Sequence, residues 1–127
     1  MKVGIIGSGG REHSLCEALS KSKKISKIYC FPGNAGTQSI AENININIDD
    51  FEILKKFVIS KKIELIVVGP EKPLVEGIVD FFENINIPIF GPNKLASQLE
   101  GSKIFTKKIC DKYKIPTAKF GIFESIN

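Results

Sequence analysis

Short apolar runs alternate along the chain with stretches whose apolar residues recur at helical spacing. Lys2–Gly7 is an apolar run and reads as a first strand. Arg11–Ser22 reads as a helix with Leu15, Ala18 and Leu19 on one face. Lys27–Phe31 is a second strand and Thr37–Glu42 a short helical turn. Asn43–Ile48 alternates polar and apolar residues, the period of a strand with one covered face, and suits a sheet edge. Asp49 or Asp50 can cap a helix running to about Lys61, with Phe51, Leu54, Phe57 and Val58 turned inward. Ile63–Val68 is apolar nearly throughout, as for a strand covered on both faces. Leu74–Asn84 follows as a helix and Ile87–Phe90 as a fifth strand. Lys94–Glu100 and Ser102–Lys114 read as helices, and Thr117–Phe123 as the start of a new strand.

Strand–helix alternation of this kind predicts an α/β fold: a Rossmann-like, five-stranded parallel sheet with helices on both faces. The expected strand order is 3-2-1-4-5, in which strands one and four are neighbours and the chain reverses direction between them. Ligands bind such sheets at the carboxyl ends of the strands around that point. The turns Gly7–Glu12 and Gly69–Leu74 should meet there, with Pro32–Gly36 beside them.

A chain of 127 residues allows one ordinary domain and the beginning of another. Apolar residues are 43% and charged residues 25%, which excludes disordered, collagen-like and membrane-embedded classes. Apolar stretches stop at four or five residues, as in Leu65–Val68, far short of the ~20 a spanning helix needs. The opening Met-Lys-Val-Gly-Ile-Ile-Gly lacks the apolar region of a secretory signal, so the expected compartment is the cytoplasm, with no membrane partner. The net charge of +4 lies wholly beyond Glu100, where six Lys face two acids. A neutral body with a short basic segment does not fit a nucleic-acid binder. The shift marks an expected boundary: residues 1–100 as a substrate-binding domain, and 101–127 as a linker helix with the start of the next domain. Cys16, Cys30 and Cys110 are odd in number and lack a CxxC spacing, so they read as reduced small core residues. The basic set is 17 Lys and one Arg, which singles out Arg11 for a task that needs the planar guanidinium fork.

Gly7-Ser8-Gly9-Gly10-Arg11-Glu12-His13 is the turn richest in chemistry. Its glycines let backbone N–H groups approach a ligand, and the following helix aims its positive end at the same place. That suits a phosphate or polyhydroxyl group, although a tight turn without a ligand has the same composition. The third glycine of a dinucleotide fingerprint would fall on Glu12, and no GK[ST] follows for a P-loop. Arg11 is opposed by the helix dipole, which points to an anion or a structural carboxylate nearby. Glu12 suits the dipole and can serve the helix start alone, and His13 reads as a packing residue. In Gly69-Pro70-Glu71-Lys72-Pro73, two prolines stiffen the turn, and Glu71 can accept hydrogen bonds from sugar hydroxyls or an amine. Pro73 is also an ordinary helix-opening residue. Pro32-Gly33-Asn34-Ala35-Gly36 is either a connector or a cleft wall, and Gly91-Pro92-Asn93 reads as a plain turn.

Taken in order, several segments together resemble the N-terminal domain of the phosphoribosylamine–glycine ligases (glycinamide ribonucleotide synthetases) of the ATP-grasp superfamily. They are Val3–His13, Pro32–Thr37, Val68–Glu71 with Pro73–Val75, Phe90–Pro92, Ser102–Lys103 and Ile115–Ala118. The resemblance implies an ATP-dependent ligase that joins glycine to 5-phosphoribosylamine in purine biosynthesis, with ATP and magnesium or manganese serving the full-length enzyme. It implies substrate contacts at Gly9, Gly10, Arg11, Glu12, Pro32, Gly33, Asn34, Gly69, Pro70 and Glu71, and an ATP contact at Lys103. No metal ligand, and no cofactor held tightly by these residues, is expected. The family's chains are longer, so this chain alone should lack ligase activity, and apolar surface near Ile104, Phe105 and Phe120 should be exposed. The full-length enzyme is expected to be a monomer or weak dimer acting on small molecules. A stand-alone sugar-phosphate or nucleotide module, or another ATP-grasp ligase such as a carboxylase, remains the alternative.

Overall fold

The computed structural model describes residues 1–123. Its sheet is built around β1 (Lys2–Gly7), whose Val3, Ile5 and Ile6 are all fully buried. Apolar side chains on both sides of one strand require cover on both faces, and that places β1 centrally. β1 pairs in parallel with β2 (Lys27–Pro32) on one side and β4 (Leu65–Val68) on the other. β3 (Glu42–Asn43) pairs outside β2, and β5 (Ile89–Phe90) outside β4. The order β3-β2-β1-β4-β5 is the expected one.

The period-two rule sorts the side chains into two cores. Val3, Ile5, Ile28 and Cys30 face α1 (Gly10–Ser20), which contributes Cys16, Leu15 and Leu19. Ile6, Tyr29, Phe31, Ile66 and Val68 face the other way. There they meet Leu54 and Val58 of α2 (Phe51–Lys61), Leu74 of α3 (Glu71–Glu76), and Ile78, Val79 and Phe82 of α4 (Ile78–Glu83). α5 (Lys94–Gly101) packs on α3, and α6 (Lys103–Tyr113) packs on α5. Among the described residues no helix is long and apolar enough to cross a membrane.

Asp50 starts α2, its Oδ1 accepting from Ile53 N at 3.0 Å. Losing such a cap costs about 1 kcal/mol. Asp50→Ala should therefore lower the thermal midpoint by about 4 °C in a chain of this size. An unchanged melting curve would remove the cap from the account.

Three expected elements differ. The Asn43–Ile48 strand shrinks to Glu42–Asn43: Ile44 N still bonds Cys30 O at 2.8 Å, but Ile46 N then turns back to Ile44 O at 2.9 Å. Ile44, Ile46 and Ile48 nevertheless pack on the core, so the alternation reported apolar contact rather than strand pairing. The Leu74–Asn84 helix is broken at Gly77, whose left-handed backbone (φ +98) caps α3 through bonds to Pro73 O and Leu74 O. α3 itself begins at Glu71, inside the predicted turn. Thr117–Phe123 forms no strand and is exposed. Ile104 and Phe120 are exposed as expected, while Phe105 is half-buried.

Candidate functional site

The carboxyl ends of β1, β2 and β4 carry the three glycine turns to one rim. Gly33 N bonds Gly7 O at 3.1 Å, and Gly69 N bonds Ile6 O at 3.0 Å, so the sheet hydrogen bonding continues into all three turns. Glu12 sits between the first and the third. It is 4% exposed, and its Oε2 accepts from Gly9 N at 2.5 Å, which closes the first turn of α1. Its other oxygen, Oε1, takes the Arg11 Nε–H at 3.3 Å.

The glycines make room for that carboxylate. A Cβ at Gly7 would lie 2.7 Å from Glu12 Cγ, one at Gly9 2.8 Å from Oε2, and one at Gly69 2.0 Å from Oε1. Glu12 therefore fills the notch between the β1 and β4 turns. Gly10, by contrast, opens outward: a Cβ there would meet nothing within 4 Å. Ser8, Gly9 and Gly10 are exposed. The rim thus has a filled floor at Glu12 and an accessible upper edge of backbone at the positive end of α1.

Arg11 is the cation on that edge, its side chain 61% exposed. The expected anion or structural carboxylate is present as Glu12, which engages Nε and leaves the terminal guanidinium nitrogens free of protein partners among the described residues. Asn34 binds the second turn to the first. Its Nδ2 donates to Ser8 O at 2.9 Å and Gly9 O at 3.1 Å. Its Oδ1 accepts from Thr37 N at 3.0 Å. His13 packs over Gly36, where a Cβ would lie 2.5 Å from the imidazole, in keeping with a packing role.

Pro32, Gly33, Gly69 and Pro70 are half-buried within the rim, and Glu71 is exposed in the first turn of α3. Beside it Lys72 reaches Asp49 at 2.6 Å, and that hydrogen bond raises the lysine ammonium above its ordinary value. Both side chains are well exposed, so the pair contributes little to stability. Lys103 opens α6, and among the described residues no hydrogen bond or ion pair joins it to the rim. Beneath the site Cys16 and Cys30 meet as buried free thiols, Sγ to Sγ 3.0 Å. Burial, the largest cause, raises both above the usual thiol range, so they stay protonated at neutral pH. Concavities of about 430 and 360 Å³ lie elsewhere, beside Ile87–Phe90 and between Ser20 and Ala41.

Thr37, fully buried, and Asn43 take part in the rim's hydrogen bonding, yet neither is among the contact residues expected from the sequence. The available signal was a hydroxyl three residues after Asn34, the spacing of a side chain that closes a turn.

A parallel sheet in the order 3-2-1-4-5, with glycine turns gathered at the carboxyl rim of its switch point, defines a Rossmann-like domain. Residues 1–100 match the model of the phosphoribosylglycinamide synthetase N domain, and the chain belongs to that family. It is 52% identical over 124 residues to the phosphoribosylamine–glycine ligase of Caldanaerobacter subterraneus and 46% identical over 125 residues to that of Clostridium acetobutylicum. Each alignment covers 98% of this chain and 30% of the relative, so the chain spans less than a third of their length. Among solved structures, the phosphoribosylamine–glycine ligase of Thermotoga maritima aligns with a TM-score of 0.64 at 31% identity, over 94% of this chain and 26% of that one. N5-carboxyaminoimidazole ribonucleotide synthetase from the same organism aligns with a TM-score of 0.69 at 19% identity, over 98% and 34%, a likeness of fold alone.

Proposed function

We propose that this chain forms the sugar-phosphate-holding part of an ATP-dependent ligase that joins glycine to 5-phosphoribosylamine, a cytoplasmic step of purine biosynthesis. The observation that carries the reading is the gathering of three glycine turns at one rim: the β1 and β4 turns close on Glu12, the β2 turn is tied to the first through Asn34, and Arg11 is free to reach outward. In this reading the exposed Gly9–Gly10 backbone and the Arg11 guanidinium receive the phosphate or ribose, since a planar fork on an N-terminal helix turn suits an anion. Glu71 accepts from ribose hydroxyls or the amine. Pro32, Gly33, Gly69 and Pro70 wall the cleft. Glu12 and Asn34, whose polar atoms are engaged internally, act by holding the turns rather than by gripping the substrate.

The chemistry asks this domain for alignment and charge neutralisation. ATP with magnesium or manganese would supply the phosphoryl group that makes glycine's carboxylate open to attack. Among the described residues no cluster of three or more His, Cys, Asp or Glu could hold a metal, so its ligands would come from elsewhere in the enzyme. Residues 101–127 would begin the next domain, which accords with an α6 that buries none of its residues. Lys103 would approach the ATP phosphates only once that domain is in place.

Calorimetric titration separates this reading from a nucleotide-binding module: ribose 5-phosphate should bind the chain better than NAD or ATP, and the reverse order would reject it. In a ligase assay of the complete enzyme, Arg11→Lys should raise KM for phosphoribosylamine about tenfold with kcat little changed, because a lysine keeps the charge and loses the fork. Unchanged kinetics would remove Arg11 from the site.

A further inference from the structure

Two side chains and the backbone of a third residue form a closed ring of hydrogen bonds beside the rim. Asn34 N donates to Thr37 Oγ1 at 2.8 Å. Thr37 Oγ1 lies 2.7 Å from Asn43 Oδ1, and Asn43 Nδ2 donates to Asn34 O at 2.7 Å. A hydroxyl has one proton to give. Asn34 O lies 2.9 Å from Thr37 Oγ1 but already accepts from Asn43 Nδ2 at 2.7 Å and from Gln38 N at 3.2 Å, which uses both its lone pairs, so the Thr37 proton goes to Asn43 Oδ1. Within the ring each residue then donates one bond and accepts one, an arrangement in which each bond polarises the next.

The ring is built around Gly33. That residue has φ +75, and a Cβ on it would meet Asn43 Oδ1 at 2.3 Å and Thr37 Oγ1 at 2.8 Å. Thr37 is fully buried. Asn43 comes from the edge strand, so the ring also ties the second turn to the sheet. With the Asn34 backbone held this way, its side-chain amide is aimed at the carbonyls of Ser8 and Gly9.

We infer that Thr37 and Asn43 are positioning residues for the sugar phosphate. They fix Asn34, and Asn34 holds the Gly7–Gly10 turn in the register that presents its backbone to the ligand. The inference rests on the proposed function for the identity of that ligand. The geometry of the lock is independent of it, so the two can fail separately.

The test compares wild type, Thr37→Val and Thr37→Ser in this chain. Valine keeps the branched shape and loses the hydroxyl; serine restores the hydroxyl. Three readouts are taken: hydrogen exchange at the Gly9 and Asn34 amides, the thermal midpoint, and ribose 5-phosphate affinity by calorimetry. Thr37→Val should speed exchange at both amides at least tenfold and weaken ribose 5-phosphate at least tenfold, with exchange in α2 and α4 unchanged. Thr37→Ser should return both values to within threefold of wild type. A Thr37→Val protein with wild-type affinity and wild-type exchange at Gly9 would overturn the inference. So would a loss that is uniform over the sheet and not rescued by serine, because that marks a purely structural role. Should Thr37→Val not fold, Asn43→Ala opens the same ring from the half-buried edge and is judged by the same readouts. If wild type takes up no ribose 5-phosphate, the site reading falls. Exchange at Gly9 in Thr37→Val then decides the lock: faster supports it, unchanged overturns it.

Discussion

Gly69→Ala should be strongly destabilising at the rim. The added Cβ would stand 2.0 Å from Glu12 Oε1, 2.6 Å from Cδ and 2.7 Å from Cγ. Glu12 cannot yield in place, because Gly7 and Gly9 close the other sides of its notch. The carboxylate must leave, losing its Gly9 hydrogen bond, or the β4 turn must move off β1. Overpacking of this kind costs about 1–3 kcal/mol, and a lost helix-start bond adds about 1 kcal/mol. At about 3 kcal/mol the thermal midpoint should fall by about 10 °C. Ribose 5-phosphate binding should fall with it, since the two turns would no longer share a floor. A variant that melts like wild type would mean that Glu12 does not occupy the notch.

Glu12→Ala is the second large effect, and it acts on the same contact from the other side. The substitution empties the notch between the β1 and β4 turns and frees Gly9 N and the Arg11 guanidinium. Gly9 N is near solvent and can bond water, so lost packing dominates, and about 2 kcal/mol is expected. Affinity for ribose 5-phosphate should drop at least tenfold, because Arg11 loses the group that orients it. The pair also makes a cycle. With Glu12 truncated, the three atoms nearest the methyl of Gly69→Ala are gone, so the double variant should be no less stable than Glu12→Ala alone. Additive losses would show that the two residues act separately.

What could be read from the sequence follows its physical origin. The apolar runs at Lys2–Gly7, Lys27–Phe31 and Ile63–Val68 reported strands because burial on both faces leaves few polar positions. The strand order followed from the strand–helix alternation and its right-handed crossovers, read as a Rossmann-like half. The break at Gly77 was hidden because Val75, Ile78, Val79 and Phe82 keep helical spacing across it, and spacing carries no information about a single left-handed residue. Asn43–Ile48 misled for the opposite reason: alternate burial needs an extended chain but no partner strand.

The turns that gather at the rim were legible from their glycines and prolines. Their internal division of labour was not. Glu12 in the first turn of a helix reads equally as a dipole partner or a ligand contact, and only the cradle of Gly7, Gly9 and Gly69 marks it as a buried support. Thr37 and Asn43 lie six residues apart in unremarkable sequence, and their ring closes through Asn34 only in three dimensions.

The central claim is that the turns after β1, β2 and β4 act as one receptor for a phosphorylated sugar. Amide spectra of the isotopically labelled chain, recorded as ribose 5-phosphate is added, address it most directly. The account predicts that Gly9, Gly10, Arg11, Gly33, Gly69 and Glu71 shift together along one binding curve. Shifts confined to the hollows beside Ile87–Phe90 or between Ser20 and Ala41, or separate curves for the separate turns, would contradict it.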